Sequence, residues 1–201
     1  GRIILKNSIK MTKKISVGGK IRSLRESKMM EMEVLAERSQ LPIEQIQAIE
    51  EDNLLPGLAP LIKIARVLGV RLGTFLDDSQ GMGAVVSRHE DAKESVRFTN
   101  HSSAGNESMI YRSLSEGKEN RHIEPFVIDI LPNNEQNYSM SSHEGEEFIY
   151  VLEGKVEINY GKQSYILEKG DSIYYDSIVK HHVHGYGNDA AKILAVVYAP
   201  F

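Results

Sequence analysis

The sequence predicts a multidomain α + β chain, in which a bundle of five short helices precedes a barrel or sandwich of antiparallel strands. Three observations carry that expectation. Apolar residues recur at helical spacing from Val17 to about Leu76. From Met109 onward, short apolar runs recur about every 8–12 residues, as antiparallel barrels and sandwiches require. A polar, glycine-bearing stretch separates the two patterns. The expected divisions are a basic leader over 1–16, a helical domain over 17–76, a linker and edge segment over 77–108, and a strand domain over 109–201.

In the helical part, Ile21, Leu24 and Arg25 open a first helix, and Val34, Leu35 and Ala36 sit in a second. Ile43, Ile46 and Ile49 mark a third by their spacing of three. Leu58, Leu61, Ile62, Ile64, Ala65 and Leu68 form a fourth, which Gly69 is expected to cap. Leu72, Phe75 and Leu76 give a short fifth. The second and third helices, with a short joint between them, read as a helix-turn-helix.

The joint opens on Asp77-Asp78-Ser79-Gln80-Gly81, and Ala84-Val85-Val86 reads as an edge strand. Residues 100–108 read as a loop by composition, with His89 and His101 expected at the surface. Strands follow at 125–131, 147–152, 155–160, 163–167, 172–175 and 190–198, with hairpin turns at Glu153-Gly154 and Tyr160-Gly161-Lys162.

Composition narrows the function classes. With 41% hydrophobic and 26% charged residues, the chain reads as an ordinary globular protein, and no apolar run approaches the ~18 residues of a membrane span. No membrane partner is therefore expected. Cysteine is absent, which excludes disulfides and thiolate metal sites. No secretory signal pattern is evident, so cytoplasm is the expected compartment. The net charge of −4 is uneven: residues 1–28 carry nine basic side chains against Glu26 alone, whereas residues 81–201 hold 11 basic against 18 acidic. A basic arm on an acidic body suits contacts with phosphate.

The segments Ile21-Arg22-Ser23-Leu24-Arg25, Leu35-Ala36-Glu37-Arg38, Ala48-Ile49-Glu50 and Leu61 to Val70 resemble the XRE-type, lambda-repressor-like DNA-binding domains. The resemblance covers about sixty residues. It implies a third helix that enters the major groove of double-stranded DNA, with Gln45 and Gln47 able to pair with adenine edges and Glu44 with a cytosine amine. Phosphate contacts would fall to Arg22, Arg25, Lys28, Arg38, Lys63 and the leader. Pro42 stands where a small polar cap is common, and Glu51 and Asp52 where a basic residue and a glycine are common.

Downstream, Ser141-Ser142-His143-Glu144-Gly145-Glu146-Glu147 runs into an apolar strand ending at Gly154. Gly170-Asp171-Ser172-Ile173-Tyr174-Tyr175-Asp176 follows, then His181. These segments resemble the two signatures of the cupin superfamily over about ninety residues, implying a jelly-roll barrel. Carried over, the metal ligands would be His143, Glu147 and His181, with Ser141 standing where the family's first histidine is usual. Asp176, Ile178 and Gly185 replace residues often found in the second signature. Two imidazoles and one carboxylate suit a divalent transition metal (Fe, Zn, Ni, Mn or Co) with open positions. His182 and His184, out of phase with His181, are expected to face away from the lumen as surface imidazoles. Tyr111, Phe126, Tyr138, Ser141, Tyr174 and Val183 are the expected pocket wall, a chamber of about a few hundred cubic ångströms. Arg112 and Arg121 would serve a carboxylate or phosphonate if they pointed inward.

Three functions follow. The end-to-end arrangement resembles bacterial one-component transcriptional regulators, implying a homodimer or higher assembly on DNA with a small-molecule effector in the barrel. The same layout, with its missing first histidine, also resembles hydroxypropylphosphonate epoxidase, a mononuclear non-haem iron enzyme; that likeness implies iron on the triad, with Tyr111 as the pocket tyrosine of catalysis. The third is a non-catalytic ligand-binding protein whose helical domain mediates assembly.

Overall fold

In the computed structural model, residues 16–54, 56–77, 84–93, 99–101, 107–132, 138–187 and 189–200 are described. The basic leader lies outside them apart from Ser16. Five helices form the first unit: α1 Val17–Ser27, α2 Met32–Ser39, α3 Ile43–Glu50, α4 Leu58–Leu68 and α5 Gly73–Leu76. None of the described helices is long and apolar enough to cross a membrane.

Each helix end has a local cause. The Ser16 hydroxyl accepts from the Gly19 amide at 3.0 Å and starts α1. Pro42 precedes α3 without a side-chain cap. Pro60 sits in the first turn of α4, where its missing amide costs no helical bond. Gly69 takes the left-handed conformation that stops the same helix. Ile21, Leu35, Ile46, Ile49, Leu61, Ile62 and Phe75 meet in the core. Gly18 allows α1 and α3 to touch, because a Cβ there would lie 2.0 Å from the Ile49 carbonyl oxygen.

Among the described residues nine strands follow: β1 Thr99–His101, β2 Glu107–Ser113, β3 Ile123–Ile130, β4 Glu146–Glu153, β5 Lys155–Tyr160, β6 Gln163–Glu168, β7 Ser172–Asp176, β8 His181–Gly185 and β9 Ala191–Tyr198. They form a six-stranded sheet of order β1-β2-β3-β9-β4-β7 and a three-stranded sheet of order β6-β5-β8. A bridge between Ser141 and His181 joins the segment before β4 to β8. Phe126, Ile128 and Ile130 of β3 and Ile193, Ala195 and Val197 of β9 alternate inward, as do Val156 and Ile158 of β5.

Two linker expectations change. Ala84, Val85 and Val86 are irregular and exposed, so this short apolar run forms no strand. Strand β1 instead runs into the start of the segment read as a loop, and pairs with β2, which begins at its end. Its polar side chains hid it, because ladder hydrogen bonds come from the backbone whatever the composition.

The units are latched together by a buried ion cluster. Arg121 donates to Asp77 at 2.7 Å and to Glu124 at 2.7 and 2.8 Å. All three side chains are nearly inaccessible. Lys20 of α1 donates to the Asp77 carbonyl at 3.1 Å, and Arg66 of α4 pairs with Glu144 at 2.7 Å.

Arg25 corrects another expectation. Instead of facing phosphate, it is buried and grips Glu50 of α3 with two hydrogen bonds of 2.7 and 2.8 Å, and donates a third to the Met30 carbonyl. The reason is steric: one turn past Ile21, it falls on the apolar face of α1, where only a paired charge is tolerated. Removing one partner strands the other, so Arg25→Ala should destabilise the helical domain by about 3 kcal/mol in chemical denaturation. An Arg25→Met, Glu50→Leu double variant should recover most of that loss.

Candidate metal centre and cavity

Two chain segments deliver the triad. His143 and Glu147 flank the turn that enters β4, and His181 starts β8. The turn depends on Gly145, whose φ is 106°, a conformation glycine adopts without strain. A Cβ there would also lie 1.9 Å from the Tyr198 carbonyl oxygen. All three side chains are buried, and their donor atoms lie within 4.8 Å of one another.

The hydrogen bonds around the triad fit a metal. His143 Nδ1 donates to the Glu144 carbonyl at 2.9 Å, and His181 Nδ1 to the Val179 carbonyl at 2.8 Å. Each Nε2 is thereby left facing the Glu147 carboxylate, at 2.6 Å from His143 and 3.4 Å from His181. Such outer partners fix the ring orientation and tautomer that metal ligation needs. Burial alone would raise the Glu147 carboxyl, but hydrogen bonds from the two imidazoles outweigh it and hold the group well below the usual carboxylate range. His181 is moved the other way: burial opposes its charged form, yet the Glu147 carboxylate raises it above the ordinary histidine value.

The second oxygen of Glu147 accepts from the Tyr175 hydroxyl at 2.7 Å. Burial first, and Glu147 second, push the Tyr175 phenol up, so it remains a donor. Tyr175 is the site residue the sequence reading missed in favour of Tyr174, which is 63% exposed and bonds to Glu146 outside the barrel. The signal was there in β7: Ile173 and Tyr175 share one phase, while Ser172, Tyr174 and Asp176 share the polar one.

Above the triad opens a cavity of about 330 Å³. Tyr111, Phe126, Tyr138, Ser141 and Val183 line it, and the Tyr111 ring meets Phe126 edge-on at 5.8 Å. Helix α3 contributes Gln45 to the same wall. Arg112 pairs with Asp129 at 3.1 Å, and Arg121 belongs to the domain latch.

His182 and His184 are not surface imidazoles. Tyr138 stacks on His182 at 4.4 Å, with rings only 4° from parallel, and packs on His184 at 4.8 Å. His184 also bonds Glu157 at 2.9 Å. Nor do the two imidazoles face away from the lumen: both line the cavity with Tyr138, and period alone could not show that the chain before β4 brings that ring onto them. Burial, then the neighbouring His184, lowers His182 to about 4.

Of the residues expected to meet DNA, Arg22, Lys28, Arg38, Glu44 and Gln47 are exposed. Arg22 pairs with Glu26 at 3.0 Å, and Gln47 donates to Glu51 at 2.9 Å. Gln45 is half-buried on the cavity side of α3.

Comparison with known proteins finds a family match in each unit. Residues 21–75 match the helix-turn-helix family and residues 127–197 match the cupin domain family. HTH-type transcriptional regulator PuuR of Escherichia coli is 24% identical over 187 residues, covering 92% of this chain and 94% of its own. (S)-2-hydroxypropylphosphonic acid epoxidase of Streptomyces wedmorensis is 27% identical over 152 residues, 69% of this chain and 73% of its own. Among solved structures, an HTH_3 family transcriptional regulator from Vibrio cholerae superposes with a TM-score of 0.65 at 21% identity, over 92% of this chain and 96% of that one. An Fe(II) form of the epoxidase superposes with a TM-score of 0.51 at 23% identity, over 92% and 99%. These structural likenesses establish the fold.

Two outcomes follow from this geometry. Tyr175→Phe should weaken metal binding by about tenfold or more with the barrel intact, measured by competition with a chromophoric chelator. His182 binds a proton in the unfolded chain at the ordinary histidine value but, when folded, only near pH 4. Stability should therefore fall as pH drops from about 6.5 to about 4, and His182→Asn should reduce that slope by roughly one proton in denaturation series at several pH values.

Proposed function

We propose that this chain, a helix-turn-helix domain followed by a cupin domain, is a DNA-binding transcriptional regulator whose cavity takes a divalent metal and a small-molecule effector. The reading includes a homodimer working in the cytoplasm, with paired α3 helices on half-sites about one helical turn apart. The observation that carries it is the union, along nearly the whole length of a relative named as a regulator, of an exposed α2–α3 pair with a buried, metal-suited triad.

Exposed Arg38, Lys28 and Arg22 supply the phosphate contacts in this reading, and Gln47 the base contact. Glu44 and Glu51 on the same face repel phosphate, so affinity is modest and depends steeply on salt. His143, Glu147 and His181 hold the metal. When bound, it supplies open coordination positions for an oxygen ligand of the effector.

One set of observations favours a second reading, a non-haem iron enzyme of the epoxidase type: the His-Glu-His triad with Tyr111 buried in the wall above it. Iron-dependent consumption of oxygen or peroxide with (S)-2-hydroxypropylphosphonate would establish that reading.

The regulator reading is tested by fluorescence anisotropy of the full chain on duplexes selected from a random pool, over a salt series. Arg38→Ala should weaken binding to all duplexes alike and lower the salt slope by about 1, whereas Gln47→Ala should change sequence preference. Failure to prefer any duplex at low salt would defeat the proposal.

A further inference from the structure

The cavity does not end with the barrel. Gln45, Leu54, Pro56, Leu58, Ala59 and Pro60, all from the helical domain, line the same space as the triad. They come from α3, the start of α4 and the connection between those helices, the part of the helical unit next to the DNA-reading face. Arg66, further along α4, is fastened to Glu144, whose carbonyl accepts the His143 Nδ1 proton. The helical domain thus roofs the cupin chamber.

The lining also restricts what can enter. Apolar side chains make up most of the wall, from Ile128, Ile130 and Ile193 to the roof, where Gln45 is the polar exception among the described residues. Among the described residues, no lysine or arginine lines the cavity. Among the described residues Glu147 is the one carboxylate there, so it offsets one charge of a divalent metal and leaves the other for an anionic oxygen head. A second anionic group would be buried there with no lysine or arginine among the described residues to pair it, which is costly.

We infer that the helical domain is part of the ligand site, and that the ligand is a small molecule with an apolar body and a single oxygen-chelating head. The head sits at the triad and the body rests against the α3–α4 connection. A ligand that touches both units favours the arrangement in which they are together. Its binding therefore holds the Gln45 flank of α3 on the barrel and weakens the grip on DNA. This last consequence rests on the regulator reading; the roof and the ligand class do not.

The test uses the full chain loaded with Co(II), whose visible absorption reports a change of ligands. Benzohydroxamate and acetohydroxamate carry the same chelating head with and without a ring. Benzohydroxamate should bind about tenfold or more tighter, in keeping with the apolar surface it buries. It should also slow amide exchange over residues 45–60 more than acetohydroxamate does. Ala59→Phe and Leu54→Ser should remove the ring's advantage and preserve acetohydroxamate binding; the first keeps the test valid if the second fails to fold. Equal affinities, no uptake of Co(II), or a ring advantage without slower exchange over 45–60 would overturn the inference. In parallel, benzohydroxamate should weaken binding of a pool-selected duplex several-fold; unchanged DNA affinity would overturn the linkage. If the chain holds no duplex even without hydroxamate, the regulator reading fails, while ring preference and exchange still decide the roof.

Discussion

The buried Glu147 carboxylate is the constraint around which the barrel is arranged. An anion in an apolar interior is tolerated only with partners for its charge and its lone pairs. Here His143 and His181 answer one oxygen and Tyr175 the other. These partners lie on three different parts of the chain, so the register of β4 against β7, which places Glu147 opposite Tyr175, matters to the site as well as to the sheet. The two backbone carbonyls that fix the imidazoles extend the same demand outward, to Glu144 and Val179. A metal held by the triad would replace proton-mediated contacts within this frame without requiring a new one.

A second buried charge system joins the units. Asp77, at the end of α5, and Glu124, in β3, share the Arg121 guanidinium between them. Buried pairs of this kind are weak contributors to net stability but sensitive to loss of a single partner, so they specify an arrangement more than they deepen it. Together with Arg66 and Glu144, they hold α4 and the α3–α4 connection over the cavity mouth. The same seating that closes the chamber also settles which flank of α3 is presented to solvent.

The helical unit shows how one surface can serve two demands. The apolar faces of α1 and α3 close around Ile21, Ile46 and Ile49, with the Arg25–Glu50 pair buried at their margin. The remaining face of α3 and the residue that ends it are acidic, at Glu44 and Glu51, whereas exposed cations lie on α1, just past its C-terminal end and on α2.

Much of the fold and part of the site were legible in the chain. Spacings of three and four fixed the five helices, and the change to period two marked the barrel, because buried faces repeat with the geometry of the element. Gly69 was readable as a stop, and His143, Glu147 and His181 as a group through family resemblance, since their spacing follows the turns that deliver them. Side-chain destinations set by remote packing were not legible. Arg25 looks like any other basic residue until Glu50 meets it from another helix. Tyr174 and Tyr175 are adjacent tyrosines until strand phase puts one inside. His182 is an exposed imidazole by period until Tyr138 folds over it. The roof of the cavity depends on two units meeting across Asp77 and Arg121, residues with no pattern between them. Sequence alone determined what repeats locally, and the tertiary structure decided which buried charge or ring finds its partner, because those partners lie far apart along the chain and no period links them.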